Sequence, residues 1–163
     1  MTDSEAPTLD SAFQVLNYNQ QLIQFADAKA GNLIVINSLF IAASQQMGSN
    51  FWLLKLLQCS LLGLSGLALL ACLAVIMSRG RLEPLPRRDC IFYEDISQRK
   101  TMGHFTRDFL TTSSSILCED ALRRSYILAQ IARRKFATFS QAQLLTALAA
   151  VLWLGHGGVQ IFC

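Results

Sequence analysis

Charge is scarce in this chain: only 15% of its 163 residues are Asp, Glu, Lys or Arg, whereas an ordinary soluble domain carries about 25%. Proline is scarcer still, at three residues, so long stretches run without a helix breaker. The opening MTDSEAPTLD has no basic stretch, apolar core or small-residue cleavage site, and no signal peptide is expected. Five cysteines, Cys59, Cys72, Cys90, Cys118 and Cys163, form no C-x-x-C. His104 and His156 are far apart, so neither a metal site nor a disulfide framework is expected. Phosphate-binding loops are missing too, since neither G-x-x-x-x-G-K-[ST] nor G-x-G-x-x-G occurs. Gly63-Leu64-Ser65-Gly66 has the wrong spacing for a nucleophile elbow and lies in an apolar run. The carboxylate pairs Glu94 with Asp95 and Glu119 with Asp120 are sequence neighbours that diverge on a helix. These absences exclude the common hydrolytic and redox machinery, and the chain is not expected to be an enzyme or to hold a cofactor.

What is present is apolar length. From Leu56 to Met77 no residue is charged, and Arg79 and Arg81 follow. Roughly 20 apolar residues cross a hydrocarbon layer of about 30 Å, and a helix satisfies its own backbone there. Ala30 to Met47 is also uncharged but carries Asn32, Asn37, Ser38, Ser44, Gln45 and Gln46, a weaker span that needs a partner. Gly48, Ser49 and Asn50 are turn formers that let the chain reverse into the second span. After Lys135 no charge occurs up to Cys163, which gives a third span centred on Leu144 to Leu154, loosened at its far end by Gly155, His156, Gly157 and Gly158.

The expected fold is therefore an all-α membrane protein with three transmembrane helices, the first and third extended into a cytoplasmic helical module. Its segments are an N-terminal helix over 1–29, spans over 30–47, 51–77 and 137–163, and a cytoplasmic helical region over 78–136. Within that region Asp89 to Leu110 predicts an amphipathic helix broken at Gly103, and Ser114 or Ser115 an N-cap for the last long helix. Twelve of the fourteen Lys and Arg lie between Arg79 and Lys135, leaving this loop at net +5 and the remainder at −2. The positive-inside rule puts the loop and the N-terminus in the cytoplasm and the C-terminus outside. A basic excess can also bind nucleic acid, but no recognisable module accompanies it, and a topology signal beside anionic headgroups explains it better.

Helical spacing then groups the polar residues. On the first helix Asn17, Gln20, Gln24, Asp27, Gly31, Ser38, Ala42 and Gln45 share a stripe. Its upper part suits close helix packing at Ala42 and Gln45. Asp27, near the start of the hydrocarbon, must be paired or functional. On the second span Gly63 and Gly66, with Cys59 a turn earlier, suit close approach of another helix. On the last helix Glu119, Arg123, Tyr126, Gln130, Arg133, Ala137 and Gln141 recur at three and four. Such a face is either an exposed one with an i,i+4 ion pair or one suited to a small anion with an aromatic part.

Four local signatures occur in order: Ala26-Asp27-Ala28-Lys29-Ala30-Gly31, Leu85-Pro86-Arg87, Phe92-Tyr93-Glu94-Asp95-Ile96 and Gln130-Ile131-Ala132-Arg133-Arg134-Lys135-Phe136. Together they resemble the membrane-effector family of the Pycsar antiphage system, the PycTM type, over roughly Asn17 to Leu152. The resemblance implies a multi-pass protein of the bacterial inner membrane with a periplasmic C-terminus, acting as a homo-oligomer. Its ligand would be cUMP or cCMP made by a cognate cyclase on infection, and its action impairment of the membrane and abortive infection. On that basis Arg88, Arg123 and Arg133 are expected to take the phosphate, with Phe92, Tyr93 or Tyr126 on the pyrimidine face and Gln130 beside them. Asp27, Lys29 and Gly31 are expected to be structural or gating residues, with Asp27 paired to an arginine of the last helix and Lys29 snorkelling to the headgroups. Two other readings explain the spans as well: a structural membrane subunit that senses nothing, and an effector gated by a cyclic oligonucleotide.

Overall fold

The computed structural model describes residues 8–46, 52–78, 90–91 and 93–162, for 93–94 and 159–162 in backbone alone. Five helices follow in order, α1 Leu9–Gln45, α2 Trp52–Met77, α3 Tyr93–Ser97, α4 Met102–Thr111 and α5 Ser114–Phe162. No strand occurs among the described residues. α1, α2 and α5 are long and apolar enough to cross a membrane, which is the expected all-α architecture with three candidate spans. At 37 and 49 residues, α1 and α5 exceed the roughly 20 residues that a bilayer requires.

Local chemistry sets the helix ends, and in several places it differs from expectation. Thr8 caps α1 by accepting the Ser11 backbone N–H at 3.3 Å. The helix expected over Asp89 to Leu110 is two helices, and the break falls at 98–101 rather than at Gly103. Thr101 causes it: its backbone is extended and its hydroxyl accepts the His104 N–H, so α4 begins there and Gly103 lies inside it. The cap of α5 is Ser113, whose hydroxyl accepts the Ile116 N–H, and not Ser114 or Ser115. Gly155, His156, Gly157 and Gly158 do not loosen α5, which continues through them. Glycine weakens a helix in water, but in hydrocarbon the backbone has no other partner to turn to.

The chain divides into two compact units, Met1–Ile23 with Arg79–Ala132 and Gln24–Ser78 with Arg133–Cys163. In the second unit α1, α2 and α5 meet along a seam of Ala30, Cys72, Val75, Phe139 and Ala142, flanked by Leu33, Ile34 and Ala71. Small side chains let the backbones approach, which matters because lipid supplies no hydrophobic force between helices. The packing faces are not those expected from the polar stripes. Ala42 and Gln45 are exposed, and Ala30, Asn37 and Ser44 turn inward instead. Likewise Cys59 and Gly63 are exposed, while Ser65, Ala68 and Cys72 are buried. The winning phase places small residues about every seven on both helices, so that Ala30, Asn37 and Ser44 face one side. Asn37 joins α1 to α5: its amide donates to the Leu33 carbonyl and to Thr146 Oγ1, each at 2.8 Å, and Thr146 donates to the Ala142 carbonyl.

In the first unit α1 and α5 bury Ala12, Leu16, Leu117 and Ala121 between them. The Asn19 amide donates to the Ser125 carbonyl across the same contact. α3 is tied to α5 by an ion pair of Asp95 with Arg124 at 2.9 Å. α4 buries no side chain; Arg99 holds it through an ion pair with Asp108 and a guanidinium set over the Phe105 ring.

The Asn37 bond sits in a solvent that offers no replacement, although hydrogen bonds between membrane helices average only about 0.6 kcal/mol, with a maximum near 1.7. Asn37→Ala is expected to destabilise the membrane unit by roughly that range. A double-mutant cycle with Thr146→Val, measured by unfolding in bicelles, should recover a coupling of about 0.6 kcal/mol.

Candidate functional site

Two places concentrate charge, one in each unit. In the membrane unit the ammonium of Lys135, on α5, is buried with 4% of its side chain exposed. It donates to Asp27 Oδ1 of α1 at 2.5 Å and to the Val75 carbonyl of α2 at 2.7 Å. Val75 lies in the last turn of α2, where carbonyls have no partner within the helix and the helix dipole favours a cation. One ammonium thus ends α2, neutralises Asp27 and ties three helices together. Asp27 is therefore paired as expected, but to Lys135 and not to an arginine. The physical reason is helix phase: Arg133, Arg134 and Lys135 differ in direction by about 100° each, and Lys135 is the one that α5 turns inward.

The other residues around this junction take separate positions. Lys29 lies with its ammonium 4.2 Å from the Phe25 ring centre, a cation–π contact on its own helix. Gly31 has open space where a side chain would sit, so no close approach requires glycine there. Arg133 and Arg134 are exposed.

The other charged region lies in the first unit. Arg123, Tyr126 and Gln130 project from one face of α5 and all three are exposed. Beside them an open groove is lined by Leu9 of α1 and by Ser114, Ser115, Cys118, Glu119, Leu122 and Arg123 of α5. Arg123 on its wall gives it a phosphate-seeking group, and Leu122 an apolar one. Tyr93 is the first residue of α3, described in backbone only. Arg88, Phe92 and the Leu85-Pro86-Arg87 signature lie outside the described residues.

Sequence reasoning missed Lys135, Arg124 and Asp95 as paired residues. The signal was available in the phase of α5. Leu117, Ala121, Arg124, Ala132, Lys135, Phe139, Ala142, Thr146 and Ala149 are all buried and recur at three and four, except for one step of eight that spans the half-buried Leu128. That row carries Arg124 and Lys135 inward and leaves Arg123, Tyr126, Gln130 and Arg133 outward.

Removing the Lys135 ammonium leaves an uncompensated carboxylate, while the Val75 carbonyl keeps only the Ser78 hydroxyl, which donates to it at 3.1 Å. Because Asp27 is 36% exposed, solvent shares the cost, and Lys135→Ala is expected to lose about 1–3 kcal/mol. Lys135→Met keeps the stem and should lose nearly as much, whereas Asp27→Asn, which keeps an acceptor, should lose less. Thermal unfolding in detergent micelles orders the three.

The family model described as PycTM, Pycsar effector protein domain, matches residues 11–159. No curated protein and no solved structure matches the chain.

Proposed function

The chain belongs to the Pycsar effector family, non-catalytic membrane effectors of cyclic-nucleotide-signalled antiphage defence, and on that premise we propose that it binds a cyclic pyrimidine mononucleotide, cUMP or cCMP. Binding is to the basic helical unit on the cytoplasmic side of the inner membrane, and the membrane-spanning helices of assembled copies then impair that membrane. The observation that carries this reading is the family match over nearly the whole chain, joined to a unit that keeps cations uncommitted on its surface.

The chemistry of one α5 face supports it. Arg123, Tyr126 and Gln130 stand at i, i+3 and i+7, so they share a face. A guanidinium pairs a phosphodiester through two N–H groups. A phenol ring stacks on a base, and a glutamine amide offers both a donor and an acceptor to a pyrimidine edge. Either amide orientation fits one of the two pyrimidines, so this face selects the class and not the member. Arg88, Phe92 and Tyr93 are the candidates from the loop and α3. Arg133 is the other candidate for the phosphate. Asp27, with Lys135, acts on the membrane side and touches no ligand.

Ligand shifts an assembly only by binding one arrangement better than another. The test is calorimetric titration of the full chain in nanodiscs with cUMP and cCMP, against cAMP and cGMP. Saturable binding of a pyrimidine nucleotide is expected, and Arg123→Ala should weaken it about ten- to hundredfold, the worth of a charged hydrogen bond. No binding of either pyrimidine overturns the reading; binding of a cyclic oligonucleotide instead transfers the chain to that class of effector, and binding of nothing favours a non-sensing subunit. Arg133→Ala is expected to abolish toxicity in cells at unchanged membrane insertion.

A further inference from the structure

Some inward polar groups of the membrane unit are left unmet. Among the described residues, Asn37 Oδ1, the Ser65 hydroxyl and both ring nitrogens of His156 have no hydrogen-bond partner, although Asn37 and Ser65 are fully buried and His156 is 1% exposed. One residue comes from each of α1, α2 and α5.

The register of the helices places them on one line through the bundle. Ala30, Cys72 and Phe139 share a cluster, and seven residues further in along each helix stand Asn37, Ser65 and Thr146. The Asn37 amide bonds Thr146 Oγ1 at 2.8 Å, which fixes α1 against α5 at that level. A further seven residues on, the Gln58 amide bonds the Ser44 carbonyl at 2.6 Å, which fixes α2 against α1. Ser65, halfway between Cys72 and Gln58, is thus level with Asn37 and Thr146. The layer lies about 15 Å from the pair of Asp27 and Lys135, near the middle of a hydrocarbon core about 30 Å thick. His156 stands 21 residues beyond Lys135, on the same inward row and about 31 Å away, at the opposite surface.

An unmet polar group in hydrocarbon costs free energy, and buried water bonds to such groups where several converge. We propose that the interior of one three-helix unit is a proton path, with His156 at one end, water held midway by Asn37, Ser65 and Thr146, and the Asp27 carboxylate at the other end. An imidazole takes a proton on one ring nitrogen and releases one from the other. Each water or hydroxyl along the way accepts one proton as it gives up another, so one charge crosses and no group is changed. Asp27 is 36% exposed and passes the proton to solvent, while the Lys135 ammonium holds the carboxylate in place. A metal cation fits less well, since it needs several oxygen ligands and no buried residue between Lys135 and His156 is charged. The path is shut in the arrangement described: the apolar cluster stands between the midway layer and Asp27, with Phe139 its largest side chain. The inference rests on the reading above only in taking the chain to impair a membrane; it names what crosses, and it needs neither nucleotide nor a neighbouring copy.

The test uses full-length protein in vesicles of phosphatidylethanolamine and phosphatidylglycerol, loaded with a pH-reporting dye and driven by a potassium diffusion potential without nucleotide. Wild type should take up protons no faster than empty vesicles. Phe139→Ala thins the apolar cluster, and Cys72→Ser sets a hydroxyl in it at nearly unchanged volume, so a folding defect in the first leaves the second to decide. Each should speed proton uptake about tenfold or more, while calcein stays trapped. Added to either, Ser65→Ala or His156→Phe should cut that gain about tenfold, the worth of one lost hydrogen bond in the path. Cluster variants that both take up protons no faster than wild type, a gain that survives either second substitution, or calcein escaping as protons enter overturns the proposal. None of these results bears on the nucleotide titration, so the two readings fail separately.

Discussion

A buried ammonium with two partners on two other helices is the constraint around which the membrane unit is built. Lys135 could not lie at 4% exposure unless Asp27 and the Val75 carbonyl stood where they do, because an isolated charge in that medium would lose its proton or leave. The contact fixes the rotation of α5, the height of α2 against it and the phase of α1. From that phase follow the seam of Ala30, Cys72, Val75, Phe139 and Ala142 and the Asn37 to Thr146 bond one level deeper. Apolar packing alone would not choose among several rotations of three leucine-rich helices, since lipid and leucine are equally good neighbours. Polar contacts choose.

The water-facing unit works by a different balance. Its hydrophobic contact between α1 and α5 is narrow, with alanines at Ala12 and Ala121, and its short helices are held by charge. Arg124 reaches Asp95 and Arg99 reaches Asp108, so a share of the basic excess is structural. Arg107 and Arg123 stay on the surface of this unit, available to an anion. The described arginines of this unit thus divide into those that hold short helices in place, Arg99 and Arg124, and those on the surface, Arg107 and Arg123.

Two of the four signatures that carry the family resemblance meet in space. The Ala26 to Gly31 run supplies Asp27, and the Gln130 to Phe136 run supplies Lys135. Separated by more than a hundred residues in sequence, they form one ion pair at the level where both helices enter the apolar layer. The resemblance therefore rests on a physical contact as well as on spelling.

The chain's own letters determined three membrane-length helices, their order and the wet region between the second and third, because uncharged length and missing proline act locally and need no partner. They also determined that Asp27 required neutralising. What the tertiary structure decided was which side of each helix faces in. Residue type alone points to the polar stripe through Ala42 and Gln45 and the glycine stripe through Gly63, yet Ser44, Ser65 and Cys72 take the interior. A stripe of small residues on one helix fits many neighbours, and only the neighbour's own polar demands, here Lys135 and Asn37, select one. The partner of Asp27 was set in the same way, since three cations in a row at Arg133, Arg134 and Lys135 differ in direction by 100° each, and the rotation of α5 turned the last of them inward.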